Sequence, residues 1–208
     1  MHASSNNWGT QSHYFCCLLF GESSVRMNIA VWNQTDEKRR NIWLKDEWQS
    51  KIDLFYKKFK QIVENYKIKP CKTLCLGARV GQEVVAFKKL DFDAIGIDLV
   101  EHLPNVIKGD IHNLEFDKKT FGCVFTNIYD HSLYPEKFSK EIDRVLKING
   151  VAIIHLAINK ATDDFGVIEM KNEKFILDQF TNYKVLKNEK ILNFLGCNHE
   201  IIIKKTND

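Results

Sequence analysis

The sequence predicts an α/β protein with a doubly wound, mostly parallel seven-stranded sheet, an antiparallel C-terminal strand and helices on both faces. Three observations lead there. Residues 72–99 read as strand, glycine turn, helix, strand and then a single acid, K-T-L-C-L-G-A-R-V-G-Q-E-V-V-A-F-K-K-L-D-F-D-A-I-G-I-D-L. After Pro70, short apolar runs alternate with helical stretches, the pattern left by parallel strands joined through crossover helices. Near the C-terminus two strand-like runs are separated by too few residues for such a crossover, so they must pair antiparallel. Together these describe a Rossmann-like sheet.

The elements follow in order. From Asp36 to Tyr66, the apolar residues Ile42, Trp43, Trp48, Ile52, Phe55, Phe59, Ile62 and Val63 recur at three- and four-residue steps, which predicts one amphipathic helix or two in succession. Lys57, Lys58 and Lys60 are expected on its wet side, while Trp43 and Trp48 either pack on the sheet edge or help lid a pocket. Strands are expected at Thr73–Leu76, Ala94–Asp98, Asn105–Lys108, Cys123–Asn127 and Val151–Ala157. Helices are expected at Gln82–Leu90 and Pro135–Leu146, with a turn at Asn149-Gly150 releasing the chain into the next strand. Phe175–Phe180 reads as helical, and Tyr183–Leu192 and Glu200–Lys204 as two strands joined through Gly196-Cys197-Asn198.

With 208 residues the chain holds one domain and an N-terminal appendage. Residues 1–30 are expected to be a loosely ordered leader, with Met27 as an alternative start. Residues 31–208 form the domain: a helical cap over 31–68, a core over 72–157, and a C-terminal part over 158–208 that completes the sheet. The 30 basic and 27 acidic residues are intermixed, which argues against a surface devoted to nucleic acid. The six cysteines form no C-x-x-C pair and no zinc-like spacing with histidine, so no metal and no disulfide framework is expected, and reduced thiols suit the cytoplasm. The apolar run Tyr14–Phe20 is about half a membrane span and lacks a preceding basic segment.

Gly77 follows four strand residues and Gly81 opens the next helix. At such points the missing side chain lets the backbone turn sharply and approach a ligand, with backbone N–H groups lying under its charged part. Asp98 lies 21 residues after Gly77 at the end of the second strand, where a carboxylate can accept both hydroxyls of a ribose. The spacing Gly77, Arg79, Gly81 breaks the compact G-x-G-x-x-G turn of nicotinamide-dependent oxidoreductases.

On these residues the chain resembles the class I S-adenosylmethionine-dependent methyltransferases, especially the type-11-like small group, from about Thr73 to Leu156. L-C-L-G-A-R-V-G resembles that family's first motif, A-I-G-I-D-L its second and V-I-K-G-D-I-H-N-L-E-F its third. F-G-C-V-F-T-N-I-Y-D-H and F-S-K-E-I-D-R-V-L-K-I-N-G-V-A-I-I-H-L resemble its fourth strand, following helix and fifth strand. The resemblance implies S-adenosyl-L-methionine as cofactor. It places Gly77, Ala78 and Gly81 at the methionine part, Asp98 with Leu99 at the ribose, Asp110 at the adenine amino group with Ile111 beside the ring, and Asn127 near the sulfonium. His112 falls at the adenine edge.

Two departures stand out: Cys75 replaces a frequent acid and Arg79 a frequent glycine. Arg79 would either grip the cofactor carboxylate or an anionic substrate, or face solvent as a loop arginine. Methyl transfer needs alignment, desolvation and, for a protonated acceptor, a base. The segment Asn127-Ile128-Tyr129-Asp130-His131 follows the fourth strand; His131 is the candidate base and Asp130 its orienter or substitute, with a structural pair as the alternative. Tyr129 and Tyr134 are candidate wall, core or rim residues, and His155 a buried imidazole. The D-P-P-Y signature of nucleobase methylation is missing, so the acceptor is expected to be a small molecule. Nucleic acid is a subsidiary reading resting on Lys38-Arg39-Arg40 and on Lys57, Lys58 and Lys60. The departures at Cys75 and Arg79 support the alternative of an inactive cofactor- or partner-binding protein on the same scaffold.

Overall fold

The computed structural model describes residues 35–159 and 169–207. The leader, Met27 and the apolar run Tyr14–Phe20 lie outside the described residues.

Seven strands form one sheet: β1 (Lys72–Leu76), β2 (Asp93–Asp98), β3 (Val106–Lys108), β4 (Phe121–Thr126), β5 (Leu146–Leu156), β6 (Tyr183–Phe194) and β7 (Cys197–Lys205). Their spatial order is β3-β2-β1-β4-β5-β7-β6. Strands β1 to β5 pair in parallel, and β7 runs antiparallel to both β5 and β6. The expected fold class is therefore the observed one. Strand order reverses between β1 and β4, so the crevice beyond their carboxyl ends is where a ligand has room to enter.

The central strands are buried on both faces, which is why they read as continuous apolar runs. Leu74, Leu76, Val124, Ala152 and Ile154 point into one core with Phe138 and Ile142 of α4 (Pro135–Val145). Cys75, Cys123, Phe125, Val151 and Ile153 point into the other. That second core is closed by α2 (Trp48–Tyr66) and α3 (Gln82–Lys88), where Phe59 stacks on Phe87 with ring centroids 4.0 Å apart and meets Phe125 edge-on at 4.9 Å. Ile52, Phe55, Phe59 and Ile62 of α2 are all buried, each worth roughly 2 kcal/mol of transfer free energy. Ahead of α2, the short α1 (Glu37–Asn41) passes into a widened π-type turn (Ile42–Asp46) that Glu47 closes by donating its N–H to the Ile42 carbonyl at 2.9 Å. The last short helix is α5 (Lys174–Leu177).

Several boundaries and one side-chain placement differ from expectation; the helix expected at Phe175–Phe180 is Lys174–Leu177, and the one expected at Gln82–Leu90 ends at Lys88. Strand β5 begins at Leu146, not Val151, because the chain leaves α4 directly into extended backbone and absorbs the left-handed Asn149 in a bulge opposite Gly122. Strand β4 begins earlier, at Phe121, as the partner of that extension. The β6–β7 turn is Leu195-Gly196, both at positive φ, so the strands run on to Phe194 and from Cys197; two left-handed residues match the twist of a tight hairpin. Lys58 is not on the wet side. Its side chain is only 15% exposed and its Nζ lies 2.8 Å from Glu200 Oε2, which removes it from any phosphate-binding face.

Candidate functional site

Four segments end side by side at the carboxyl edge of the sheet. Register pairs Leu76 with Thr126, so Gly77 and Asn127 leave β1 and β4 abreast. Register likewise pairs Asp98 with Lys108, and Asp110 follows two residues later. The strand ends carrying Gly77, Ala78, Arg79, Gly81, Asp98, Leu99, Asp110, Ile111 and Asn127 therefore lie on one edge of the sheet.

The glycine loop is shaped by its own amides. Gly77 and Ala78 both donate to the Ile97 carbonyl, at 2.9 and 3.1 Å, and Gly81 donates to Ala78 at 2.6 Å. Arg79 donates to Asp98 Oδ2 at 2.7 Å. These N–H groups are therefore taken up in holding the turn, and the expectation that they lie under a ligand's charge is corrected: what the loop offers is close approach. Gly77 sits at φ +76°, and a Cβ there would stand 2.4 Å from Ile128 Cγ1, so neither conformation nor space admits a side chain.

Asp98 is 7% exposed, with Oδ2 on the Arg79 N–H and Oδ1 on the Leu99 N–H, each at 2.7 Å. A carboxylate oxygen can accept along two lone pairs, which is the chemistry a ribose hydroxyl needs. Arg79 itself occupies the left-handed region at φ +48°, which explains why a glycine suits this position. Its guanidinium lies over the Trp43 ring, 4.6 Å from the centroid, and Gln82 Nε2 donates to the Trp43 carbonyl at 3.1 Å. Arg40 Nη2 reaches His102 Nδ1 at 3.2 Å. The helical cap is thereby docked onto the loop.

Glu83 was not legible as a site residue. It occupies the first turn of α3, is 5% exposed, and burial pushes its carboxyl up to about 8, against the pull of its own backbone N–H, Arg79 and Lys51. It also raises the buried Cys75 thiol, whose largest push upward is burial. The folded protein holds the Glu83 proton where the unfolded chain has released it, so stability falls as pH rises from about 4.5 to about 8. Glu83→Gln removes that fall: Tm measured by calorimetry at pH 5 and pH 8 should change less in the variant, by about 5 °C.

Beyond β4, Tyr129–His131 form a short 3-10 turn. Tyr129 belongs to the core: it is fully buried, its hydroxyl lies 2.6 Å from Ser139 Oγ, and burial pushes it to about 12. Asp130 and His131 are 15% and 30% exposed, with Oδ2 and Nε2 3.8 Å apart, an ion-pair distance rather than a hydrogen bond. Tyr134 is 46% exposed and meets His112 edge-on at 5.5 Å, placing it at the rim. His155 is fully buried between β5 and β7.

Residues 74–154 match the family described as Methyltransferase domain. Over that core the chain is similar to this family, and its sheet has the class I methyltransferase fold. None of the curated proteins matches in sequence. Among solved structures, a Burkholderia thailandensis 1,6-didemethyltoxoflavin-N1-methyltransferase, determined with 1,6-didemethyltoxoflavin and S-adenosylhomocysteine bound, superposes with TM-score 0.65 at 13% identity, covering 100% of this chain and 94% of that one. A Pyrococcus horikoshii protein gives 0.60 at 20% identity over 77% and 92%. A putative S-adenosyl-L-methionine-dependent methyltransferase from Methanococcus maripaludis gives 0.61 at 17% over 84% and 94%. At these identities the likeness is one of fold, and function has to be read from this chain's own residues.

Proposed function

We propose that this methyltransferase domain binds S-adenosyl-L-methionine and transfers its methyl group to a small-molecule acceptor. The observation that carries the reading is Asp98: a buried carboxylate at the end of β2, oriented by two backbone N–H groups from the glycine loop and from Leu99. That donor set fits a ribose diol. The side-chain-free face of Gly77 fits close approach, and Asp110, on the adjacent strand end, fits an exocyclic amine.

When bound, the cofactor supplies an activated methyl group on a sulfonium. Asp98 holds the ribose, Asp110 the purine, and the loop from Gly77 to Gly81 sets the depth at which the ligand lies. His131, at the rim of the turn after β4, accepts a proton from the acceptor, with Asp130 stabilising the cation that results. The docked cap, through Trp43 and Arg79, limits water near the loop. The described cysteines are free thiols, in keeping with a cytoplasmic enzyme, and among the described residues no helix is long and apolar enough to cross a membrane.

The 3.8 Å gap between Asp130 and His131 favours one second reading, an inactive binding protein on the same scaffold. Titration calorimetry with S-adenosylhomocysteine tests the first claim: wild type binds, and Asp98→Asn binds roughly 30-fold or more weakly, because a charge-assisted acceptor pair becomes a single neutral one. Equal affinity in the two proteins overturns the reading. Methyl transfer to a panel of small amines, phenols and carboxylates separates enzyme from binder.

A further inference from the structure

Asp110, His112 and Ser132 form a continuous hydrogen-bonded chain. Asp110 Oδ1 lies 2.7 Å from His112 Nδ1 and also accepts the His112 backbone N–H at 2.8 Å. His112 Nε2 lies 2.9 Å from Ser132 Oγ and receives the Tyr134 N–H at 3.3 Å. A backbone N–H can only donate, so Nε2 accepts. The imidazole proton therefore sits on Nδ1, directed at Asp110, and the Ser132 hydroxyl donates to Nε2. The tautomer is set by neighbours on both sides.

This is the order of groups in a serine hydrolase, acid to imidazole to hydroxyl. Nucleophilic chemistry is ruled out by burial: Ser132 is fully buried and no acyl group can reach its Oγ. The chain runs in the other sense. Both donors from His112 fall on Oδ1, which fixes the rotation of the Asp110 carboxylate, while Oδ2 takes no hydrogen bond among the described residues and the side chain is 44% exposed. One oxygen is tied down and the other is held out at the edge of the crevice.

We propose that His112 and Ser132 are positioning residues that lock the Asp110 carboxylate for an exocyclic amine on the bound purine, so that the domain selects a 6-amino over a 6-oxo purine nucleoside. The inference rests on the proposed cofactor reading. Its distinctive content is the role of His112, which bonds Asp110, and of Ser132, which bonds the far nitrogen of that imidazole from a separate segment. Phe138 and Tyr134 pack edge-on against the imidazole, at 6.3 and 5.5 Å, and keep the ring in plane with its partners.

The experiment compares binding of S-adenosylhomocysteine with S-inosylhomocysteine, its 6-oxo counterpart, by titration calorimetry. A 6-oxo group turns an acceptor toward the carboxylate, so wild type should prefer the amino ligand by about ten-fold or more. Ser132→Ala and His112→Gln should reduce that preference to about three-fold or less while the fold, checked by thermal melting, persists. Ser132→Thr keeps the hydroxyl, and His112→Asn keeps a donor at the Nδ1 position; both should retain the preference. A merely structural role would lower stability in every variant without changing the ratio of the two affinities. Undiminished discrimination in Ser132→Ala and His112→Gln overturns the positioning role. Equal binding of both ligands by wild type overturns it too while leaving the cofactor reading standing, whereas no binding of either ligand overturns both.

Discussion

Glu200→Gln should lower the unfolding free energy at neutral pH by roughly 3 kcal/mol, the cost of leaving buried charge without its counterpart. Glu200 on β7 is 1% exposed. Its Oε2 lies 2.9 Å from His155 Nε2 on β5 and 2.8 Å from Lys58 Nζ on α2, and its Oε1 lies 2.7 Å from Lys187 Nζ on β6. Three other elements, α2, β5 and β6, are tied to this one carboxylate on β7. Burial alone would raise that carboxyl; hydrogen bonds from His155, Lys187 and Lys58 instead hold it at about 2. Burial also keeps His155 neutral, its pKa lowered despite Glu200. Because the folded carboxyl sits below its ordinary value of about 4.5, the stabilisation is complete above that pH and is lost as pH falls toward 2. The difference in Tm between wild type and variant, about 6–12 °C at pH 7, should shrink on acidification through that window. A variant as stable as wild type, or a difference that grows in acid, contradicts this account.

Gly77→Ala should cost about 2 kcal/mol and abolish detectable cofactor binding. The backbone at φ +76° disfavours any Cβ by about 1 kcal/mol, and the added carbon meets Ile128 at 2.4 to 3.0 Å. Ile128 is branched at Cβ and half-buried, so it relieves the clash only by leaving its rotamer or by moving the segment that carries Asn127. Adding Ile128→Ala should recover the packing part of the loss but not the conformational part. Chemical denaturation of the single and double variants reads the two parts separately. If Gly77→Ala unfolds at the wild-type denaturant concentration the clash with Ile128 is absent, and if it binds S-adenosylhomocysteine as tightly as wild type the close approach at this loop is not needed.

What the sequence revealed was local. Gly77, Gly81 and Asp98 lie within one strand-turn-helix-strand unit, where spacing alone dictates geometry, and successive side chains of β1, β4 and β5 enter the two cores in turn because strand side chains alternate between faces. Contacts between segments far apart in the chain were hidden. Lys58 occupies a position on α2 that periodicity assigns to solvent, and nothing near it in sequence announces Glu200. Glu83 reads as an ordinary acid in a helix's first turn, yet the packing of α3 against α2 removes it from water. His112 and Ser132 are twenty residues apart and meet only because the turn after β4 folds back beside β3. At the β6–β7 turn, Leu195 takes a left-handed conformation that composition assigns to glycine, which displaced the expected turn. Arg79 presented the reverse case, because its departure from glycine was visible while the Trp43 ring that receives its guanidinium was not.

The most direct test is a crystal structure with S-adenosylhomocysteine. The account predicts the ligand beyond the ends of β1 and β2, with both ribose hydroxyls within 3.2 Å of the Asp98 oxygens, the purine amine on Asp110 Oδ2, and the Arg79 N–H still on Asp98. A ligand bound elsewhere, or a crevice left vacant at saturating ligand, would contradict it.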